Sequence, residues 1–565
     1  QLVKMKKYIM QFGELPPIEI IKKSESAASS RSSVISDGVD ENRYTEYDHE
    51  VKFENIDVNV NITRVKDESD YSIGVAKGAI LTGVPVTVPT NTAASTMHAM
   101  KKRCDYAPHL VDEVAFKEGH SLLMSKFDPL DTIRVDKDLI SRYLAKCAGG
   151  KAERLLAALA EHQLNSDMAV KHVFAKQEAL LKEHRSQPRV VYQGSDMYNA
   201  LTGPVVMELN DRMKSVFSLS NPKNTGNRAI YACGASGELL GEIMEASPGV
   251  AIESDMKNND GSQSKEFRKY EAMFYRKLGA PDWFVREFAK TVKIRVWTRY
   301  GVAGSIEGQR WSGETTTTTG NSYVSMALLQ AAMERAGIKE STNIHGGDDY
   351  LGYVVGDAQE VKSSIESVVS VSGMKAEVVP QAGRHHATFY RKRYVRTPVG
   401  TLPVPQFGRV LSKLNLRPNR NLQINDRDYM AGKYLCAAYE HRHVPMIREL
   451  LLSTSEALSP TPHLDVRASK LSEMGSVDNI NTVIHQARVH PVPEFDDYLS
   501  EVYGITIDSL VETYQNAAQS ALDFCAGWCF VDKRGRMQNK KDSHKFNPPK
   551  LAGDTVEALV RVDVT

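Results

Sequence analysis

The chain is 565 residues long, 41% hydrophobic, 25% charged and 8% aromatic, which excludes a small stapled scaffold and any disordered or collagen-like composition. Lys and Arg number 71 against 70 Asp and Glu, so a nucleic-acid partner has to be served by local basic patches and not by overall charge. At roughly 150 residues per domain, the length calls for two or more domains or one large multi-part fold. No apolar run approaches the ~18–20 residues that cross a bilayer, and no signal segment opens the chain. The chain starts at Gln1 without a Met, which leaves room for a leader or an upstream domain. Its six cysteines are scattered and read as reduced thiols of an intracellular protein. Only Cys525 and Cys529 are close, and they lack the second pair of a structural zinc site.

In chain order, residues 24–41 are Ser-rich and read as a flexible linker. From Tyr44 to about Thr92 the pattern alternates as in β-strands. From about Ser95 to Val173 apolar residues recur at helical spacing, as in KAERLLAALAEHQL. Gly234-Ala235-Ser236-Gly237 lacks the Gly-Lys-Ser/Thr of a phosphate-binding loop, so an unrelated NTPase is set aside. Residues Val250 to Ile252 form a short buried strand that ends in Asp255, with Asp260 five positions on, where the chain turns away. The plainer alternative is a strand and an ordinary polar turn.

Ser312-Gly313 and the Thr run that follows make a flexible, hydroxyl-rich loop, then Val324, Ala327, Leu328, Ala331 and Ala332 give a helical stripe. Such a loop offers hydroxyls and amides to a ribose or phosphate, or simply caps the helix. Gly347-Asp348-Asp349 lies between two apolar flanks as a hairpin turn at the lip of a sheet. Adjacent carboxylates repel unless a divalent cation neutralises them, so a metal site competes here with a plain turn. The 48 residues from Val378 to Asn425 contain no Asp or Glu, where average composition would place about six. Arginines and lysines interleave there with Phe389, Tyr390, Tyr394 and Phe407, as in a groove that tracks a phosphate backbone; a solvated basic surface is the alternative. A second basic stretch, 533–545, reads as an exposed tail.

The order of these segments resembles the palm motifs A, B and C of viral RNA-dependent RNA polymerases. Asp255-x4-Asp260 matches A, Ser312-Gly313-x3-Thr317-x3-Asn321 matches B, and Gly347-Asp348-Asp349 matches C. Glu253-x-Asp255-x-x-Asn258-x-Asp260-Gly261 and Thr316-Thr317-Thr318 are similar to nodavirus replicases and their tombusvirus-like relatives. FAKQEALLKEHRSQPRVV resembles motif F through Lys176, Glu178 and Arg189, SGMKAEVV resembles motif D through Lys375, and TFYRKRYV resembles the motif E primer grip. The resemblance covers about residues 95–450. The family's amino-terminal membrane anchor and capping enzyme have no counterpart in this stretch, so capping is not expected of it.

The resemblance implies an α+β, right-handed fingers-palm-thumb polymerase fold with an antiparallel palm sheet. Its expected parts are an extension over 1–95, fingers over 96–249, a palm over 250–400 with a fingers insertion at 266–310, and a thumb and tail over 401–565. It implies template-directed RNA synthesis in replication and transcription of a positive-strand RNA virus. Two metals stabilise the attacking and leaving oxygens in such nucleotidyl transfer. Asp255, Asp348 and Asp349 are then the catalytic metal ligands, for Mg2+ and also Mn2+, and Lys375 is the candidate general acid for pyrophosphate. Asp260, Ser312, Gly313, Thr317 and Asn321 would bind the nucleotide and sense its 2′-hydroxyl, while Lys176 and Arg189 neutralise the triphosphate. Arg391, Lys392, Arg393, Arg409 and Lys413 would line the path of RNA.

The expected partners are RNA template and product, ribonucleoside triphosphates, and other viral replicase domains or subunits, with room for an oligomer. Membrane association would come only through parts outside this stretch, at replication complexes on intracellular membranes of the host cytoplasm. Two competing readings are a catalytically inactive RNA-binding scaffold, which the full carboxylate set disfavours, and a reverse transcriptase. The latter is disfavoured by Gly347 before the aspartates and by Asp260 and Asn321 in place of a bulky steric gate.

Overall fold

The computed structural model describes residues 52–564 apart from 61–75, 79–80, 85, 88–92, 107–111, 148–149, 161–168, 177, 179, 182–187, 419–423, 465–475, 524–527, 532–536, 540–550 and 552. The Ser-rich stretch, most of the basic tail and Cys525 lie outside the described residues. Cys529 sits in a strand, Trp528–Val531.

The architecture is mixed α and β, with sheets that are mostly antiparallel. Its centre is a sheet of β1 (Asn227–Tyr231), β2 (Val250–Met256), β3 (Ser341–Gly346), β4 (Asp349–Val354) and β5 (Ala376–Pro380), in spatial order β5-β2-β4-β3-β1. Only the β3–β1 pair is parallel. Strand alternation sends Ile252, Met256, Tyr350 and Val354 to one face, where they join the core of the helices Thr317–Arg335 and Ala358–Val371. Ala251, Leu351 and Tyr353 go to the other face and pack on the helix Gly237–Glu245. The strand expected over 250–252 runs on to Met256, and Val250 itself is exposed.

The helix Thr317–Arg335 differs from its expected single stripe, because every residue from Thr319 to Met333 is buried. It is wedged between the central sheet and the helix Glu113–Met124, whose Gly119 has no room for a Cβ against the Ala327 carbonyl. A helix buried all round is an interior beam and not a surface element. The expected boundary at residue 250 assigns Asn227–Tyr231 to a different part from β2, yet both strands belong to the one sheet. Residues 266–310 also divide, their helices entering the main core and their strands Lys293–Trp297 and Val302–Glu307 joining Asp57–Val60, Val170–Ala175 and Val190–Gln193 in a second sheet.

Beyond β5 a three-stranded meander follows, β6 (Thr388–Phe389), β7 (Lys392–Thr397) and β8 (Gly400–Pro405). Helices from Phe407 to Asp563 then build a separate core around Phe407, Tyr434, Leu451, Phe495 and Tyr514. Leu81 is buried in that core, and Ala76–Gly78 pairs with Leu416–Pro418. A few residues later Val86–Thr87 pairs with Leu180–Leu181, so residues of one early stretch pair with strands far apart in the sequence.

Candidate active site

The hairpin of β3 and β4 closes through Gly347 and Asp348, with Gly346 paired to Asp349. Gly347 has φ +72, and a glycine in the first central position of a two-residue hairpin loop is the requirement of a type II′ turn. A Cβ there would meet nothing within 4 Å, so the constraint is conformational and not steric. Ser322, on the buried helix, accepts the Gly347 N–H at 2.8 Å and ties the turn to that beam. At Gly346, in contrast, a Cβ would stand 1.9 Å from the Tyr390 hydroxyl, so the β6–β7 turn packs directly on the hairpin.

Asp255 lies near the end of β2, beside β4, and shares a face with Glu253 two residues earlier. Glu253 accepts the Thr388 N–H and hydroxyl, both at 2.7 Å, and fastens β6 to that strand. After β2 the chain reverses at Asn258, in the left-handed region at φ 49, which Asn tolerates best among larger residues. The helical turn Asn259–Ser262 then brings Asp260 back toward the recess. Asn321 donates to one Asp260 oxygen at 2.8 Å and Ser312 to the other. The Ser312–Thr318 segment is not the expected flexible loop. Glu314, Thr316 and Thr319 are buried, Gly313 fits closely against Val191 at φ +95, and the helix already starts at Thr317. The Thr317 hydroxyl lies 2.8 Å from the carbonyls of Trp311 and Glu314.

Together these groups line a recess of about 720 Å³ that holds Asp255, Asp260, Asp348, Asp349, Ser312, Gly313, Thr317 and Asn321, with Lys176 and Arg189 on its wall. Arg189 grips both oxygens of Glu178 at 2.6 Å and Lys176 reaches the same carboxylate at 3.2 Å. Despite its burial, these two cations hold the Glu178 carboxyl down at about 2. Sequence reasoning missed Tyr390, Asn258 and Arg310 as lining residues. A Tyr-Arg pair between two short strand patterns was the available signal for Tyr390.

Several expected residues stand elsewhere. Lys375 is exposed and does not line the recess; its carbonyl accepts the Lys257 N–H at the outer edge of the sheet. Arg393 is turned inward, almost wholly buried, where it pairs with Asp563 at 3.5 Å and donates to the His386 carbonyl. Lys392 pairs with Glu440 at 2.8 Å. Both are engaged in the packing of the meander on the carboxy-terminal helices, Arg393 buried and Lys392 half-buried. Arg391, Arg409 and Lys413 do gather: burial and the charges of Arg391 and Arg409 push Lys413 down to about 8.

Tyr390 and Arg391 both have positive φ, 51 and 58, the I′ geometry that favours Asn-Gly. Holding two large residues there costs of order 1–3 kcal/mol each, which the contacts of Tyr390 on Gly346 and of Arg391 near Asp349 offset only in part. Arg391→Gly is expected to raise the urea midpoint, by about 1 kcal/mol of stability, while lowering RNA synthesis. A variant that lost stability would contradict the strain.

The acidic side of the recess carries uncompensated charge. Asp348 and Asp349 keep exposed surface, yet desolvation by the surrounding walls raises both, and the charges of Asp260 and Asp255 push Asp348 further. Asp349 is pushed up to about 6 by desolvation and by Asp348, with Arg391 pulling the other way. Among the described residues no ion pair neutralises Asp255, Asp348 or Asp349, and no three His, Cys, Asp or Glu side chains are grouped so as to hold a metal ion by themselves. An all-oxygen donor set that lines an open recess suits hard divalent cations whose remaining positions are filled by water and phosphate.

The family model for RNA dependent RNA polymerase matches residues 47–456. The chain belongs to that family. It is a viral RNA-directed RNA polymerase, a nucleotidyltransferase that synthesises RNA on an RNA template from nucleotide substrates. No curated protein matches the sequence significantly. Polymerases of this kind work with divalent metal ions, and the match spans the hairpin, Asp255, Asp260 and the buried helix.

Proposed function

We propose that this polymerase forms its phosphodiester bonds in the recess above β2 and the β3–β4 turn. The observation that carries the reading is the convergence of Asp255, Asp348 and Asp349 from neighbouring antiparallel strands on one cavity, opposite the Asp260–Asn321–Ser312 cluster. Asp255 and Asp348 hold Mg2+, or Mn2+, with Asp349 supporting. The bound ions supply charge stabilisation at the attacking and leaving oxygens. Lys176 and Arg189 face the triphosphate, and Asp260 with Asn321 and Ser312 senses the ribose 2′-hydroxyl, the group that separates RNA from DNA precursors. Gly313 and Thr317 shape the floor beneath the sugar. Arg391, Arg409 and Lys413 guide RNA out of the recess. No step is assigned to Lys375.

In this reading the central sheet is the palm, the second sheet and amino-terminal helices are fingers, and the helices after Phe407 are the thumb. The Glu253-to-Gly261 spacing and the Thr run support a nodavirus- or tombusvirus-like replicase of a positive-strand RNA virus, at work on intracellular membranes of its host with other replicase subunits. The test is incorporation of labelled ribonucleotide on a homopolymeric RNA template, with and without a primer, in Mg2+ and in Mn2+. Metal-dependent synthesis that disappears in Asp255→Ala is expected; synthesis that survives this change would refute the site.

The acidic cluster also makes stability depend on pH and metal. Because Asp349 holds its proton up to about 6 when folded, against an ordinary value near 4 unfolded, folding is favoured at low pH and loses that advantage as pH rises through about 6. Mg2+ then restores stability at pH 7.5 and does little at pH 5. Thermal unfolding with and without Mg2+ at the two pH values checks this, and Asp349→Asn is expected to reduce the difference.

A further inference from the structure

Beneath the Asp260 cluster lies a chain of polar groups to which nothing above assigns a role. Arg310 is buried and makes a two-pronged pair with Glu271, at 2.9 and 2.7 Å, both side chains fully shielded. Its third donor, Nε, goes to Oε1 of Gln263 at 3.1 Å. The Gln263 amide nitrogen donates to Oδ1 of Asn321 at 2.9 Å, and Asn321 Nδ2 donates to Asp260. Gln263 is almost completely buried, and Gly320 leaves the space that the Arg310 guanidinium fills, since a Cβ there would stand 2.1 Å from it.

The polarity of this chain is fixed at both ends, and the two amides between them satisfy it in one way. A guanidinium has donors only, so the Gln263 atom facing it must be the carbonyl oxygen. The amide NH2 of Gln263 then has to face Asn321, which must answer with its own oxygen. Asn321 is left with its NH2 toward Asp260, which as a carboxylate only accepts. Without Gln263 the Asn321 amide would be held by Asp260 at its nitrogen alone, its oxygen left unpaired and its plane free to turn about that single bond. Buried networks in which every member is satisfied specify one arrangement in this way.

We propose that Gln263, anchored by the Arg310–Glu271 pair, is a positioning residue for sugar selection that holds the Asn321 amide in the one orientation able to read a ribose hydroxyl. The inference rests on the sugar-sensing reading of Asp260, Asn321 and Ser312. It adds three residues from outside the recognised motif positions, Arg310 on the wall of the recess and Gln263 and Glu271 buried outside its lining.

The test compares kcat/KM for a ribonucleotide with that for the matching 2′-deoxynucleotide in the full chain, for Gln263→Leu, Asn321→Ala and the double variant. Since each ratio is internal to one protein, a general loss of activity or stability cancels. Gln263→Leu is expected to lower the ratio by about tenfold, the scale of one misdirected buried hydrogen bond, and to lower it no further when Asn321 is already Ala. Gln263→Glu keeps an acceptor for Arg310 but turns the Asn321 NH2 away from Asp260; it is expected to lower the ratio as well, and serves should the leucine variant not fold. If Asn321→Ala lowers the ratio and neither Gln263 variant does, the positioning role is overturned and the sensor stands. If the Gln263 and Asn321 effects simply add, Gln263 does not act through Asn321 and the proposal fails. If Asn321→Ala leaves the ratio unchanged, the sensor reading fails and the positioning role falls with it.

Discussion

Asp348→Asn is expected to reduce ribonucleotide incorporation by about three orders of magnitude or more, the scale of several kcal/mol of transition-state charge stabilisation, while RNA binding stays within a few-fold of the parent. The substitution keeps the size and hydrogen-bonding capacity of the side chain and removes only the charge. The turn itself should survive, because it is held by Gly347 in its left-handed conformation and by Ser322 beneath it, neither of which uses the Asp348 carboxylate. Relief of repulsion from Asp260 and Asp255 should make the folded variant at least as stable as the parent, so lost synthesis could not be ascribed to unfolding. Rapid-quench incorporation beside a filter-binding measurement separates the two quantities. Incorporation within a few-fold of the parent would mean that Asp348 holds no catalytic metal.

Glu314→Ala is expected to have the largest effect on stability, a loss of about 3–5 kcal/mol or more, the cost of stranding buried charge. The Glu314 carboxylate is fully buried between Lys171 at 3.6 Å and Arg268 at 3.5 Å, and it also accepts the Tyr198 hydroxyl at 2.6 Å. Burial alone would raise its pKa, but Lys171 and Arg268 outweigh it and the net shift is downward. A depressed carboxyl stabilises the fold above its unfolded pKa and loses that contribution as pH falls through the folded value. The gap between parent and Glu314→Ala in urea unfolding should therefore be full at pH 7 and shrink in acid. Because Glu314 follows Ser312-Gly313 directly and ties that segment to the strand Val170–Ala175, synthesis should fall too. A gap below about 1 kcal/mol, the range of an exposed pair, would show that the two cations find other partners.

What could be read from the sequence was what is decided locally. Gly347-Asp348 is a turn because of glycine's conformational freedom, Asp255 comes late in a strand because Val250, Ala251 and Ile252 precede it, and both are where their neighbours put them. The helix over 317–335 was legible as a helix, yet its burial on all sides was not, because its serines and threonines bond to backbone carbonyls and to the hairpin. The basic run from 378 to 425 misled for a related reason. Its acids exist but come from far along the chain, Glu440 for Lys392 and Asp563 for Arg393, and pairing at such separation leaves no local pattern. Gln263 and Arg310 were passed over on the same grounds, since a glutamine next to a serine reads as loop until Asn321 and Glu271 are seen against it.

The most direct measurement of where the chemistry is done replaces Mg2+ with Fe2+ in the full chain and lets ascorbate and peroxide cut the backbone beside the bound ion. Cleavage confined to the neighbourhoods of Asp255 and of Gly347-Asp348-Asp349, competed by Mg2+ and lost in Asp348→Asn, is the result expected from a metal held between β2 and the β3–β4 turn. Competed cleavage at other positions, with these two segments intact, would place the metal elsewhere and contradict the site.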